Sequence, residues 1–203
     1  MKKTAIVLAL SAMGMLAGEA MAQQSPWQVR VRAVHIDPAD KSAAIPGLAG
    51  ENAITVSNKT IPEIDISYFF TPNIAAELIL TYPQKHDVHL NGTRLGSFKH
   101  LPPTLTVQYH FTPNATFSPY VGAGVNYTRI SSVKLLNNTV DLENNSFGFA
   151  LQAGVDYKLD KNWSLNFDIK KVQIRSDVVS GGTKISRVKV DPLLVGVGVG
   201  YRF

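Results

Sequence analysis

Residues 193–203 read Leu-Leu-Val-Gly-Val-Gly-Val-Gly-Tyr-Arg-Phe. Successive side chains of a strand point to opposite faces. Leu193, Val195, Val197, Val199, Tyr201 and Phe203 therefore share one face, and Gly196, Gly198, Gly200 and Arg202 share the other. Glycines inside a strand cost backbone entropy. The pattern makes sense where the inner face is crowded and the outer face carries the burial energy. A barrel in lipid, apolar outside and small or polar inside, provides that setting.

The alternation recurs in eight segments, predicted as strands over 27–36, 60–70, 74–82, 101–111, 120–130, 146–158, 162–175 and 184–203. Short turns are expected at 71–73, 112–116 and 159–161, and long connectors at 37–59, 84–100, 131–145 and 176–183. This rhythm fits an all-β, eight-stranded antiparallel up-and-down transmembrane β-barrel with both termini on the periplasmic side. Trp27, Phe69, Phe70, Tyr109, Phe111, Phe117, Tyr120, Tyr157, Trp163, Tyr201 and Phe203 cluster at the short-turn ends, as an interfacial aromatic girdle would.

Residues 1–22 have the pattern of a cleaved signal peptide: basic Met1-Lys2-Lys3, a short apolar stretch from Thr4 to Gly18, and small-x-small Ala20-Met21-Ala22. Residues 23–203 then form one barrel domain. The sequence has no cysteine, so neither disulfides nor a lipid-anchored thiol is expected. No run of about 18 apolar residues follows the signal. Charged residues are 17% of the chain, below the usual ~25% of soluble domains, as an outward lipid face requires. The formal net charge is +5, but the basic residues are scattered along strands and loops of an exported chain, so no nucleic-acid partner is expected. Outer-membrane lipid and lipopolysaccharide suit a basic exterior better.

Three strands share a change of character. In the seventh, Trp163, Leu165, Phe167 and Ile169 face out, and beyond them Lys171, Gln173 and Arg175 take the outer face while Val172 and Ile174 turn inward. In the eighth, Arg187, Lys189 and Asp191 continue the outer face and Val188 and Val190 point in; in the first, Val34 and Ile36 face in at the top. A lipid-facing charge near the midplane costs ~2–4 kcal/mol, so these upper segments are expected at the headgroups or beyond, around an apolar lumen. A β-bulge near Pro192 or Lys170 resetting the register is the competing explanation. The lower lumen differs: Arg30, Arg32, Glu63, Asp65, Glu77, Asp168 and Lys170 all fall on inward parity, together with Asp156, and are expected to pair as a polar plug.

His100-Leu101-Pro102-Pro103-Thr104-Leu105, Pro119-Tyr120-Val121-Gly122-Ala123-Gly124-Val125-Asn126-Tyr127, Ala153-Gly154-Val155-Asp156-Tyr157, Val190-Asp191-Pro192 and the final Gly200-Tyr201-Arg202-Phe203, in that order, resemble the OmpW family. The resemblance implies an eight-stranded barrel in the outer membrane of a Gram-negative bacterium, with a narrow hydrophobic channel for small apolar molecules. Tyr201 and Phe203 would be the signal through which barrel-assembly machinery inserts the chain. The long loops do not match, so ligand choice is not implied.

The expected function is passive uptake of small hydrophobic solutes that enter from outside, meet the plug and leave sideways into the bilayer. Pro38 and Pro62 flank the first long connector, and proline removes a ladder hydrogen bond; a pairing gap between or beside the first two strands is the candidate lateral gate. Ala43, Ala44, Ile45, Leu48 and Ile54 would line the entrance. The alternative is a non-conducting barrel acting as receptor, adhesin or envelope stabiliser through its loops. Catalysis is not expected: His86, Asp87 and His89 lie on a connector without a zinc-ligand spacing, Ser97 and His100 lack an assignable partner, and Gly122-Ala123-Gly124 precedes no helix. No metal or cofactor is expected.

Overall fold

The computed structural model describes residues 24–44, 47, 49–136 and 140–203; the signal peptide expected at 1–22, and Ile45 and Leu48 of the first connector, lie outside the described residues. The strands are β1 (Trp27–Asp37), β2 (Lys41–Ser42), β3 (Ile54–Val56), β4 (Lys59–Phe69), β5 (Ile74–Leu80), β6 (Gln84–Leu90), β7 (Thr93–Leu101), β8 (Thr104–His110), β9 (Phe117–Leu135), β10 (Val140–Leu142), β11 (Asn145–Lys158), β12 (Trp163–Val172), β13 (Arg175–Ser180), β14 (Thr183–Lys189) and β15 (Leu193–Arg202). Eight of them, β1, β4, β5, β8, β9, β11, β12 and β15, pair antiparallel in that order, and β15 pairs back to β1 to close a cylinder. The first and last strands meet from Gln28↔Arg202 to Asp37↔Leu193.

The short turns follow from side chains that replace missing backbone partners. Thr71 Oγ1 accepts from the amides of Asn73 and Ile74, and Asp160 Oδ1 accepts from those of Asn162 and Trp163 at 2.8 and 2.7 Å. Thr, Asp and Asn stand in these turns because their short polar side chains close such rings.

The long connectors are not loops: most of their residues form a second tier of strands stacked on the cylinder. β3, β6 and β7 pair in turn and reach the upper half of β9; β10, β13, β14 and β2 continue from its other side. The hairpin signals were in the sequence. Asn91-Gly92 and Gly181-Gly182 sit at positive φ (47°, 82°, 56° and 81°), the backbone of the two-residue turn that suits twisted strands.

The two upper strand segments also settle the bulge question. Lys171↔Leu193 below the kink and Arg175↔Lys189 above it belong to one register, so no residue is inserted and inward parity carries through. Regular pairing pauses at residues 173–174 and 190–192, where Asp191 takes φ 27° and accepts from the Ile174 amide.

The apolar exterior is bounded by aromatics at both ends. Trp27, Tyr68 and Phe70 form an edge-to-face row at the short-turn end, as do Trp163, Tyr201 and Phe203, with centroid spacings of 4.9–5.1 Å. The other end carries Tyr82, Tyr127, Phe147 and Phe149, all exposed, so aromatics are not confined to the short-turn ends where the sequence predicts the girdle. Phe117 and Tyr127 lie ten residues apart along β9, about 25 Å of tilted strand, the height of an outer-membrane apolar band. Phe69 and Tyr120, assigned to the girdle from sequence, instead point inward and are buried. The neighbours of Phe69, Tyr68 and Phe70, hold the outer parity.

Inner glycines allow close approach. A Cβ on Gly124 would lie 2.0 Å from the Leu105 carbonyl oxygen and 2.6 Å from the Thr106 Cα. Gly124→Val should destabilise the barrel by about 1–3 kcal/mol through overpacking, and Val197→Arg on the lipid face by about 2–4 kcal/mol. Urea unfolding in lipid vesicles measures both, with the second loss absent when Arg replaces exposed Gln173 above the band.

Candidate functional site

The lower bore is filled by charge. Arg30 and Arg32 stand on the inward face of β1 and meet carboxylates from four other strands of the wall. Arg30 reaches Glu77 of β5 at 2.9 Å and Asp156 of β11 at 2.7 Å. Arg32 reaches Asp65 of β4 at 2.6 Å, Glu63 and Glu77 at 3.4 Å, and Asp168 of β12 at 3.5 Å. Lys170 lies 3.6 Å from both Glu63 and Asp168. Neutral groups complete the network: Ser67 accepts from Arg30, the Tyr120 hydroxyl donates to Asp168 at 2.8 Å, and Gln152 donates to Glu77. Arg30, Arg32, Asp65 and Glu77 are no more than 2% exposed. An eight-stranded bore holds little beyond its own side chains, and inward parity left these groups only one another as partners. Ions taken from water recover the desolvation cost only through such multiple contacts. The residues predicted as a plug thus all meet in one network; Tyr120, taken for a girdle residue, is part of it.

Above this floor the lining becomes apolar. A cavity of about 290 Å³ lies within the upper tier, lined by Ile54, Val56, Val88, Phe98, Ile130, Leu135, Val178, Val188 and Val190 among others. A smaller void of about 20 Å³ sits between cavity and floor, bordered by Ile36, Ile61, Ile79, Thr81, His100, Val172, Ile174 and Leu194, with Glu63 and Lys170 beneath. Of the six residues expected to line an apolar channel, Val188 and Val190 line the large cavity and Ile36, Val172 and Ile174 the small void, while Val34 packs with Ile36 and Ile61 and lines neither. Most of the large cavity's lining comes from β3, β6, β7, β10 and β13, which fall in the predicted connectors, and from β14, which falls in the predicted eighth strand. Ile54 lines it as expected of the entrance; Ala43 and Ala44 are exposed. His86 and His100, read on or beside a solvated connector, are buried inside the upper tier.

The wall has one interruption next to the small void. The expected gap between the first two wall strands is absent: β1 and β4 pair without a break from Trp27↔Tyr68 to Ile36↔Lys59, passing through Ala33↔Pro62. Pro38 is buried at the exit from β1, where Ala39 donates to the Val190 carbonyl and keeps the wall joined. The break lies on the other edge of β4. Ile64↔Leu80 below and Val56↔Val88 above belong to one register, with Ser57 donating to the Asp87 carbonyl. Between them, among the described residues, no backbone hydrogen bond joins residues 58–63 to residues 81–86. Continuing the register would set Pro62 against Tyr82 and Ile61 against Pro83. Even-numbered residues of β4 bond toward β5, as Phe70 at its end does to Ile74, so Pro62 stands where a donor is needed, and Pro83 follows one position on in the facing segment. Pro62 belongs to the interruption, Pro38 does not, and Pro83 was missed because a lone proline ending a predicted strand looks like a loop boundary.

Arg32→Met should destabilise the barrel by about 3–5 kcal/mol, because it strands buried carboxylates. Adding Asp65→Asn to that variant should recover part of the loss. Urea unfolding of the two variants side by side measures the difference.

The OmpW family model matches residues 23–203. The uncharacterized outer-membrane protein y4mB of Sinorhizobium fredii is 45% identical over 187 residues, covering 88% of this chain and 80% of its own. The dibenzothiophene metabolism operon protein PahQ of Pseudomonas aeruginosa is 27% identical over 199 residues, covering 93% of each chain. The crystal structure of the outer membrane protein OprG from Pseudomonas aeruginosa superposes with a TM-score of 0.78 at 27% identity, over 89% of this chain and 97% of that one. With a closed eight-stranded cylinder, an apolar band between two aromatic girdles and a match along its whole described length, the chain belongs to the OmpW family and is an outer-membrane β-barrel.

Proposed function

We propose that this barrel takes up small hydrophobic molecules passively from the cell exterior and releases them sideways into the outer membrane. The observation that carries the reading is the apolar cavity standing on a charged floor, with the interrupted β4 edge beside the junction. An apolar solute gains by leaving water for a cavity lined by Val, Ile, Leu and Phe. It gains nothing by entering the plug, where it would separate paired buried charges. The Ile61–Ile79–Thr81 side of the small void borders the stretch of wall where, among the described residues, no backbone hydrogen bond joins residues 58–63 to residues 81–86. The volume of about 290 Å³ is at the lower end of the range for ligand pockets, which suits small solutes. PahQ, a relative over most of its length, is named for an operon of aromatic sulfur-heterocycle metabolism, and a hydrophobic cargo agrees with that.

The exterior supports a lipid partner on the same reading. Lys41, Lys189 and Arg175 stand directly opposite one another across β2, β14 and β13, and Lys85 faces Lys99 across β6 and β7. Like charges directly opposed destabilise a sheet unless anions lie against them, and the phosphates of lipopolysaccharide supply anions at this height.

The chain lacks cysteine, so a reversible clamp is available. Pro62→Cys with Tyr82→Cys should lower uptake of a labelled hydrophobe into protein-bearing liposomes at least tenfold when oxidised, with recovery on reduction. Equal uptake in both states overturns sideways release. Val188→Asp with Ile174→Asp should abolish uptake while the barrel remains folded; unchanged uptake overturns the apolar route itself.

A further inference from the structure

A cluster of three rings borders both voids. His86 of β6 packs on Phe98 and His100 of β7 in a triangle of rings, with centroids 6.0, 4.8 and 5.9 Å apart and the two imidazoles nearly parallel at 14°. Phe98 lines the large cavity and His100 the small void. Gln84 faces His100 directly across the β6–β7 ladder. Gln84 and His86 are completely buried and His100 is 2% exposed. Gln84 and His86 are also on the strand edge that borders the interrupted stretch of wall.

Each of these three side chains has a polar atom without a hydrogen-bond partner among the described residues: Gln84 Oε1, His86 Nε2 and His100 Nδ1. Their chemistry is constrained. His86 Nδ1 lies 2.7 Å from the Ser57 carbonyl oxygen. A carbonyl can only accept, so Nδ1 carries the proton, and in the neutral ring Nε2 is left as a lone-pair acceptor. Both rings are neutral at pH 7. Burial, despite the Ser57 hydrogen bond, lowers the His86 pKa, with Lys59 adding to the effect; burial, with His86 and Lys59 adding, lowers that of His100 to about 3. Gln84 spends its amide N–H groups on Thr81 Oγ1 at 3.2 Å and the Tyr82 carbonyl at 2.8 Å, leaving Oε1 as a second unmet acceptor. The other buried unpartnered side-chain atoms are on the barrel-strand residues around the floor, such as Asp65, Gln108 and Gln152, which have charged or polar neighbours. Here His86 and His100 pack on Phe98, which lines the large cavity, His100 borders a void edged by Ile61, Ile79 and Pro102, and Gln84 is paired with His100. Unmet buried acceptors are costly, and at Gln84 Oε1 and His86 Nε2 the mismatch has a direction: what is missing is a donor.

We propose that Gln84, His86 and His100 form a polar subsite for hydroxylated hydrophobes, such as phenols and alcohols, whose O–H is taken by His86 Nε2, with Gln84 Oε1 as the second acceptor of the subsite, while the apolar body lies against Phe98 in the cavity above. The subsite rests on the uptake reading and sharpens its substrate class. It stands where a solute turns from the lumen toward the wall opening. A site with an unmet acceptor discriminates by hydrogen-bond donation rather than by shape. A hydroxyl is favoured over the corresponding methyl ether, which has the same oxygen and no donor.

The test compares 1-naphthol with 1-methoxynaphthalene, each titrated into the protein in lipid nanodiscs against empty nanodiscs. The wild-type barrel should bind the naphthol at least tenfold more tightly than the ether. His86→Phe, which keeps the stack, and Gln84→Met should bring naphthol affinity down to that of the ether and leave the ether unchanged. With 15N-labelled histidine, the unprotonated nitrogen of His86 should shift upfield when naphthol is added and stay fixed with the ether. The wild-type comparison and the nitrogen shift need no variant to fold. Equal wild-type affinities, or a nitrogen resonance that ignores naphthol, would mean that the acceptors hold water only and would overturn the subsite while leaving hydrophobe uptake standing. Binding of neither compound overturns both.

Discussion

Inside hydrocarbon a backbone amide or carbonyl has no water to bond, so every strand of the wall must be paired on both sides. The β1–β15 ladder is what makes this possible, since it leaves the cylinder without a free edge within the apolar band. The rest of the molecule depends on that closure. Once the cylinder is closed, parity alone divides each strand into lipid-facing and bore-facing residues. The departure beside the small void, where β4 and the segment joining β5 to β6 share a register but not a ladder, falls above the last pair at Ile64↔Leu80, near the upper limit of the band, where leaving backbone groups unpaired costs least.

Closure at eight strands also decides what can be inside. The bore is too narrow for water-filled space at the level of Arg30 and Arg32, so their charges are answered by side chains on β4, β5, β11 and β12. One consequence is rigidity, because a network with members on several strands ties those strands together. A second is the separation of two environments only a few residues apart. Glu63 and Ile61 are next-but-one neighbours on one strand, yet Glu63 joins the ionic floor and Ile61 the void above it. The upper tier turns this boundary into a cavity, because it extends the wall beyond the membrane with strands whose inner faces are Val, Ile, Leu and Phe.

Much of this was legible in the sequence, for a physical reason: a period of two survives kinks. Val172, Ile174, Val188 and Val190 were assigned inward although regular pairing pauses on both sides of Asp191, because the register above and below is the same. The charged floor was legible for the same reason. The upper tier was not, because its strands are short, their outer faces carry Lys, Arg and Asp, and hydrophilic segments between stronger alternations look like loops. Asn91-Gly92 and Gly181-Gly182 were the signal that hairpins lie there. Phe69 and Tyr120 show the converse error, where residue type was allowed to outweigh parity.

By itself the sequence determined the strand count of the membrane wall, the face on which each side chain of those strands lies, and hence the contrast between a charged lower bore and an apolar upper one. These are local properties, set by alternation and by turn residues such as Thr71 and Asp160. Only the tertiary structure decided which strands oppose each other at each height. That settled the partners of Arg30 and Arg32, the meeting of Pro62 and Pro83 on two edges of one interrupted register, and the cluster of His86, Phe98 and His100. Such juxtapositions depend on register between segments far apart in the chain, and a period of two fixes the face of a residue without fixing its neighbour.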